Sequence, residues 1–268
     1  MKDVLVTGAY GGMGRAAVVA LRDAGYRVFA LDLRVDAPEE NIIPICVDIT
    51  SEKEILSAAD TVSKYTDSIF AILHFAGIYM LDSLVEMKTE DFRKIFEVNF
   101  HGAFLINKTF RKFLTPGARV VITTSELAPL DPLPFTGIYA VSKAALDKYA
   151  YSLRMELQLL GISVSVLRAG AVDTGMLGAS TDALDRFCEK TELYTCNAKR
   201  FKNIVESVEA RCIQPQKIAS RVLCILKKRK PKFAYSINRN PLLILLSLLP
   251  KRMQLWIIRL ILKEKSNK

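Results

Sequence analysis

One turn near the start of the chain limits what this sequence can fold into. The apolar run DVLV leads straight into TGAYGGMGRAAVVALRDAG, so a strand, a glycine-rich turn and a helix follow one another without a break. Glycine is needed where backbone turns tightly or approaches another group closely. The first turn of the helix then offers N–H groups that have no partner inside the helix, which suits an anionic ligand. The four glycines can be counted in two ways. Gly8, Gly12 and Gly14 make G-x-x-x-G-x-G, and Gly8, Gly11 and Gly14 make G-x-x-G-x-x-G. Gly12, Gly14 and Ala17 also satisfy G-x-G-x-x-A, a fingerprint for the pyrophosphate of a dinucleotide.

Beyond the turn, short β-rich runs alternate with helical patterns. Strands are expected at 3–7, 27–32, 42–47, 69–74, 118–124, 162–168 and 232–236, and helices at 12–24, 52–65, 89–113, 137–160 and 215–228. Continuous apolar strands that alternate with helices predict a doubly wound parallel α/β sheet of the Rossmann kind, with about seven strands and helices on both faces. With 268 residues, the chain suits one large domain, read as 1–240, followed by a helical tail at 241–268. Residues 175–212 form the least regular long stretch, and their place after a strand end reads as a lid over a ligand crevice. In the 137–160 helix, Leu146, Tyr149, Leu153 and Leu160 form one apolar stripe and Tyr151, Met155 and Leu159 another. The second stripe predicts contact with a second copy of the chain or cover from the lid.

Charge divides the chain unevenly. From residue 195 onward there are 18 Lys+Arg against 3 Asp+Glu, while the first 194 residues are mildly acidic. The basic residues are interleaved with Leu and Ile in place of stacking aromatics, which argues against nucleic acid. No leader is evident, and the five cysteines lack a C-x-x-C pair, so reduced thiols in a cytoplasmic protein are expected. Two histidines and no ligand clusters give no support to a metal site.

Asp32 ends the second strand, eighteen positions past Gly14. A carboxylate there accepts hydrogen bonds from ribose hydroxyls and repels a 2′-phosphate, and position 11 carries no cation, so NAD is favoured over NADP. Arg34 is the one nearby residue that opposes this reading. Asp48 either meets the adenine edge or begins a helix with Thr50, Ser51 and Glu54. Tyr139 and Lys143, in YAVSK, are four residues apart and share one helix face. An ammonium beside a phenol favours the phenolate, as an acid/base group requires. Ser125 lies at a predicted strand end, and Asn99 lies in VNFHGAF.

These residues together resemble the short-chain dehydrogenase/reductase superfamily over roughly the first 175 positions. The resemblance implies a catalytic set of Ser125, Tyr139, Lys143 and Asn99. It further implies cofactor contacts from Gly8, Gly12, Met13, Gly14, Asp32, Asp48, Ile49, Ala76, Gly77, Asn99, Tyr139, Lys143, Gly170, Val172 and Thr174. Three departures stand out: HFAG replaces the family's N-N-A-G turn, Ala169-Gly170 replaces its P-G step, and Ser125 precedes Tyr139 by fourteen residues. RAGAVDT resembles the compact class, in which Gly8, Gly12 and Gly14 are the working set. The three-three count would instead suit the extended, sugar-nucleotide class. The implied activity is hydride transfer between NAD(P) and a secondary alcohol or ketone. A likeness of the chain end to the hydroxysteroid and retinol dehydrogenase branch implies a bulky apolar substrate. A membrane-associated NAD-binding scaffold without turnover is the alternative from another class.

In the tail, Asn240 and Pro241 predict a helix start, and KRMQLWIIRLILKEK predicts a second helix with Arg252, Arg259 and Lys263 on one face. Neither run is long enough to span a bilayer. Two fates are expected for this apolar and basic surface: peripheral membrane contact through 241–268, or packing over the crevice or a sister subunit.

Overall fold

The computed structural model describes residues 1–209 and 212–263; positions 210–211 of the expected lid and 264–268 of the expected tail lie outside the described residues. The chain runs β1 (Lys2–Thr7), α1 (Gly12–Asp23), β2 (Tyr26–Asp32), β3 (Ile42–Cys46), α2 (Glu52–Ser63), β4 (Ala71–His74), α3 (Thr89–Phe96), α4 (Gly102–Phe110) and β5 (Arg119–Ser125). It continues through α5 (Gly137–Leu157), β6 (Ser163–Ala169), α6 (Gly175–Lys190), α7 (Thr195–Glu209), α8 (Pro215–Lys227), β7 (Ala234–Ile237), α9 (Pro241–Leu248) and α10 (Lys251–Leu262). All seven expected strands form, and they pair in parallel in the order β3-β2-β1-β4-β5-β6-β7. This is the doubly wound fold read from the sequence. Because the order reverses beside β1, a crevice opens between the ends of β1 and β4, where such sheets place their ligands.

Alternation along each strand divides the core in two. Leu5, Phe29, Ile72, Val120 and Val164 face α2, α4 and α5, whereas Val4, Val6, Val28, Leu73 and Val121 face α1 and α8. Successive strand side chains point to opposite faces, so one apolar run serves both layers. Full burial of each such side chain contributes about 1.5–3 kcal/mol.

Four expectations need correction or completion. The helix expected at 89–113 is broken by a π-helical turn at Glu97–His101, and this wider turn carries Asn99. The lid region is not irregular: it forms α6 and α7, whose Ala183, Leu184, Phe187, Ala198 and Phe201 build a third cluster with Leu81 and Phe135. On α5, Leu146 is buried and Tyr149 and Leu153 pack on the core, but Leu160, in the 3-10 turn that follows, is exposed. Tyr151, Met155 and Leu159 are exposed as well, so no described part of the lid covers them.

The last correction concerns the tail. Asn240 caps α9 by accepting from the Leu242 N–H at 2.9 Å, with Pro241 at the first helical position, as expected. The expectation that 241–268 associates with a membrane is overturned. No helix among the described residues is long and apolar enough to cross one. The tail is held by protein instead. Leu262 is buried in the third cluster with Ile258 beside it, and Asn197 donates to the Leu262 carbonyl at 2.6 Å. Gln254 is buried and donates to Asp131 at 2.9 Å and to the Leu249 carbonyl at 2.8 Å, while Lys251 pairs with Asp131.

Candidate active site

The crevice beside β1 is a groove of about 740 Å³. Its walls include Gly8, Gly11, Gly12, Met13, Gly14, Asp32, Arg34, Asp48, Ile49, Ala76, Gly77, Val98 and Thr174. Packing separates the glycines. A Cβ on Gly14 would lie 1.9 Å from the Gly8 carbonyl, one on Gly12 would lie 2.6 Å from the Thr174 methyl, and Gly8 takes φ +65° with the Ala76 nitrogen where its Cβ would stand. Gly11 meets nothing closer than 3.5 Å. The set demanded by the fold is therefore Gly8, Gly12 and Gly14, the compact-class count. Gly11 begins α1 without any side-chain cap, and no acid stands in the first turn. This cradle of open N–H groups fits a pyrophosphate.

Asp32 carries a task that the sequence did not show. One carboxylate oxygen accepts from the Tyr10 N–H and the other from the Leu33 N–H, each at 2.8 Å, so Asp32 pins the glycine turn while lining the groove. Asp48 combines both of its readings. Its Oδ1 accepts from the Thr50 N–H and hydroxyl, Ser51 caps α2, and Glu54 reaches back to the Asp48 N–H at 2.8 Å, yet Asp48 still faces the groove. Of the expected cofactor contacts, Asn99, Tyr139, Lys143, Gly170 and Val172 do not line the groove. Gly170 lacks a side chain because the Asn238 carbonyl lies 1.9 Å from where a Cβ would be, and Val172 packs in the core and bridges to Ile213.

Beyond the glycine turn, the four expected catalytic side chains converge. Strand alternation resolves the choice between Thr124 and Ser125: Thr124 turns away to Asp147 at 3.2 Å, and Ser125 hydrogen-bonds Tyr139. Lys143 is buried and donates to the Thr123 carbonyl at 3.4 Å, with its Nζ 5.9 Å from the centre of the Tyr139 ring. Asn99 ties the loop after β4 to α5: its Oδ1 accepts from the Ile78 N–H at 2.8 Å, and its Nδ2 donates to the Ile78 carbonyl at 3.0 Å and to the Ser142 hydroxyl at 3.1 Å. A point one bond from the Gly77 Cα lies 3.1 Å from Asn99 Oδ1 and 3.2 Å from Lys143 Nζ. Gly77 thus lets the loop after β4 close over both groups.

Burial dominates the electrostatics. It pushes the Tyr139 hydroxyl above the ordinary phenol value, helped by Tyr79 and opposed by the Ser125 hydrogen bond. It draws Lys143 down to about 8. The phenol-lowering effect expected of the ammonium does not win in this arrangement. His74 is also buried and held down to about 4, hence neutral, and its Nε2 meets Asn107 Oδ1 at 3.0 Å. It is a satisfied polar residue at the end of β4.

Two further site residues went unread. Ser142 donates to the Tyr139 carbonyl at 2.8 Å while accepting from Asn99, so it ties the helix to the π-helical turn; its position three residues after Tyr139 was the available signal. Tyr79 stacks at a tilt on Tyr139, with ring centres 4.8 Å apart. Its loop has no periodicity that would announce this.

Comparison with known proteins agrees with this geometry. The family described as short chain dehydrogenase matches residues 2–185. The chain belongs to that family, and it is an oxidoreductase of that type, acting on CH–OH groups with NAD or NADP. Among curated relatives, the NADPH-dependent 1-acyldihydroxyacetone phosphate reductase of Schizosaccharomyces pombe is 29% identical over 192 residues, covering 68% of this chain and 65% of that one. The chain thus spans slightly less than two thirds of that relative's length. The uncharacterized oxidoreductase YbbO of Escherichia coli is 28% identical, with 88% and 86% covered. Mouse estradiol 17-beta-dehydrogenase 2 is 30% identical, with 69% and 51% covered. Among solved structures, a short-chain dehydrogenase family protein from Francisella tularensis superimposes with a TM-score of 0.74 at 24% identity, covering 88% of this chain and 97% of that one. One from Burkholderia cenocepacia, in complex with NADP, does so with a TM-score of 0.74 at 21% identity, covering 99% and 100%. These two likenesses speak to the fold.

Proposed function

We propose that the chain interconverts a secondary alcohol and a ketone whose carbonyl carbon carries a bulky apolar group, with NAD(H) preferred. The observation that carries this reading is the meeting of Ser125, Tyr139 and Lys143 beside the loop after β4, whose Gly77 and Tyr79 also line the groove that holds the glycine cradle. Tyr139 gives its proton to the ketone oxygen or takes one from the alcohol. Ser125 hydrogen-bonds the same oxygen as charge develops there. Lys143 holds the nicotinamide ribose, while Asn99 and Ser142 fix the loop and helix that carry the pair. When bound, the nicotinamide supplies or accepts the hydride. Asn99 is also assigned a water that links Lys143 to solvent.

Asp32 supports the NAD preference. The NADPH-dependent yeast relative and Arg34 in the groove weigh on the other side. The apolar substrate class is supported by the aromatic third cluster around Phe135 and by two relatives whose names carry an acyl and a steroid substrate. Residues 1–240 serve as the catalytic domain, with α6 and α7 as its lid. The exposed Phe92, Phe104, Tyr151 and Met155 support a homo-oligomer through the α3–α5 face.

The test is NAD(H)- and NADP(H)-linked turnover across sterols, retinoids, acyl ketones and small ketones, with Tyr139→Phe as control. Turnover confined to small polar ketones would remove the substrate proposal. Turnover that survives Tyr139→Phe would remove the assigned acid/base.

A further inference from the structure

A second concavity lies apart from the glycine groove, at the seam between α7, α10 and the two loops that flank Tyr139. Its volume is about 380 Å³, within the range of small-ligand sites. Leu84 and Val85 come from the loop after β4, Phe135 from the loop after β5, Tyr194 from the residue before α7, and Ile258 and Leu262 from α10.

One wall is rigid. Phe135 takes a left-handed φ of 65°, rare for a bulky side chain, and is held there by ring contacts with Phe187 at 4.7 Å, Tyr194 at 5.3 Å and Phe201 at 5.5 Å. Strain of this kind persists where the surroundings enforce it. The opposite wall is apolar yet open: Leu84 is 59% exposed and Val85 71%. These two are not loose. Leu84 lies 3.2 Å from where a Cβ on Gly137 would stand, and the next residue, Glu86, accepts from the Thr191 hydroxyl and from the Glu192 and Leu193 N–H groups. Two aliphatic side chains are therefore fixed beside a cleft that no described protein group fills.

Among the described residues the rim has one sign of charge. Arg259 and Lys263 line it, both are exposed, and neither has an ion-pair partner among the described residues. Arg200 donates to the Lys263 carbonyl, bringing a third cation beside them. Glu86, next in the chain to Val85, already accepts three hydrogen bonds and has its pKa lowered, first by Thr191. A cleft with a dry wall and a cationic rim selects a ligand with a matching division.

We propose that this pocket binds an anionic amphiphile, with a hydrocarbon chain lying between Leu84, Val85 and Phe135 and a carboxylate or phosphate head on Arg259 and Lys263. A neutral lipid would leave both cations without a partner, and a cationic one would be repelled. Such a ligand has two sources, the far end of the substrate or a separate effector.

Calorimetric titration of the full chain with dodecanoate, dodecanol and dodecyltrimethylammonium, all below micellar concentrations, tests this without need of turnover. A failure here is thus distinct from a failure of the oxidoreductase reading. Dodecanoate is expected to bind at least tenfold more tightly than the ammonium analogue and to weaken with salt. The double variant Arg259→Glu/Lys263→Glu should lose at least tenfold for dodecanoate and stay within threefold for dodecanol. Leu84→Trp, which narrows the cleft, should weaken both. Unchanged NAD(H) binding shows that each variant is folded. Dodecanoate affinity unaffected by charge reversal, or dodecanol binding as tightly as dodecanoate, overturns the proposal. With a working ketone substrate, dodecanoate that raises KM at constant kcat assigns the pocket to the substrate's far end, and one that changes kcat assigns it to an effector.

Discussion

The two ends of the active cleft are built by different means. The cofactor end comes from β1, the glycine turn, α1 and the end of β2, segments adjacent in sequence whose strand residues are almost wholly buried. The end we assign to the substrate comes from loops after β4 and β5, from α6 and α7, and from α10, which joins Phe135 and Phe187 from more than 70 positions away in the chain. Local order made the first end readable and rigid. Long-range amphipathic packing built the second from segments with a hydrophobic cluster of their own.

The largest expected effect breaks chemistry at the junction of the two ends. Tyr139→Phe should lower kcat by about 10²–10⁴-fold, the usual worth of a positioned acid/base, while NAD(H) affinity stays within about twofold. Lys143→Ala should lower kcat as much and weaken NAD(H) as well. Steady-state rates and NADH fluorescence titration separate the two. Equal effects of both substitutions on cofactor affinity would mean that Tyr139 belongs to the cofactor end alone.

Next in size is a test of whether the substrate end is a separate unit. Phe135→Ala removes the centre of the third cluster, a loss of about 3–5 kcal/mol for a buried aromatic. If the cluster opens alone, amide exchange should quicken in α6, α7 and α10 and remain slow in β1, β4 and β5. Uniform quickening would show that the two ends unfold together.

The same division explains how much was legible. Every strand was placed within two residues or so of its observed ends, because continuous apolar runs bounded by glycine and charge leave few alternatives. The glycine cradle, Asp32, Tyr139 and Lys143 followed from spacing along single elements. What escaped depends on contacts across the chain: the π-helical turn that aims Asn99 at Ile78, the Tyr79 ring on Tyr139, and the tail. For the tail, the pattern of Arg252, Arg259 and Lys263 showed an amphipathic helix but not its partner. Phe187 and Phe201, which receive Leu262, lie in segments with no motif to connect them. At Gly170 the sequence could not show the packing reason for glycine, the Asn238 carbonyl brought in from far along the chain.

His74 offers a smaller effect with a defined sign. Its folded-state value of about 4 lies below the ordinary 6.5, because burial opposes the charged ring. The unfolded chain therefore takes the proton first. Stability from this group is complete above about pH 6.5 and is lost as pH falls toward 4. Urea midpoints of the unaltered protein and of His74→Gln, measured across this window, should differ in slope, with the variant flatter. Equal slopes would show that the ring is not held neutral.

Within the cradle, Gly14→Ala should cost about 1–3 kcal/mol of stability through overpacking against the Gly8 carbonyl. Gly11→Ala, with open space around it, should stay within about 0.5 kcal/mol. Equal costs would reopen the three-three glycine count.

The smallest effect tests whether one residue can serve both structure and selectivity at the cofactor end. Asp32 holds the Tyr10 N–H with one oxygen and the Leu33 N–H with the other, so alanine would loosen the turn and blur any change in cofactor choice. Asp32→Asn keeps an acceptor for Tyr10 and removes the charge that repels a 2′-phosphate. Arg34 in the same groove would then stand unopposed. The expected result is a shift in the NADP(H)-to-NAD(H) affinity ratio of about tenfold toward NADP(H), or about 1.4 kcal/mol, with little change in urea midpoint. If stability falls and the ratio does not move, Asp32 is a turn-holding residue only. If the unaltered protein already prefers NADP(H), Arg34 outweighs the carboxylate, and Arg34→Ala becomes the substitution that should reverse the preference.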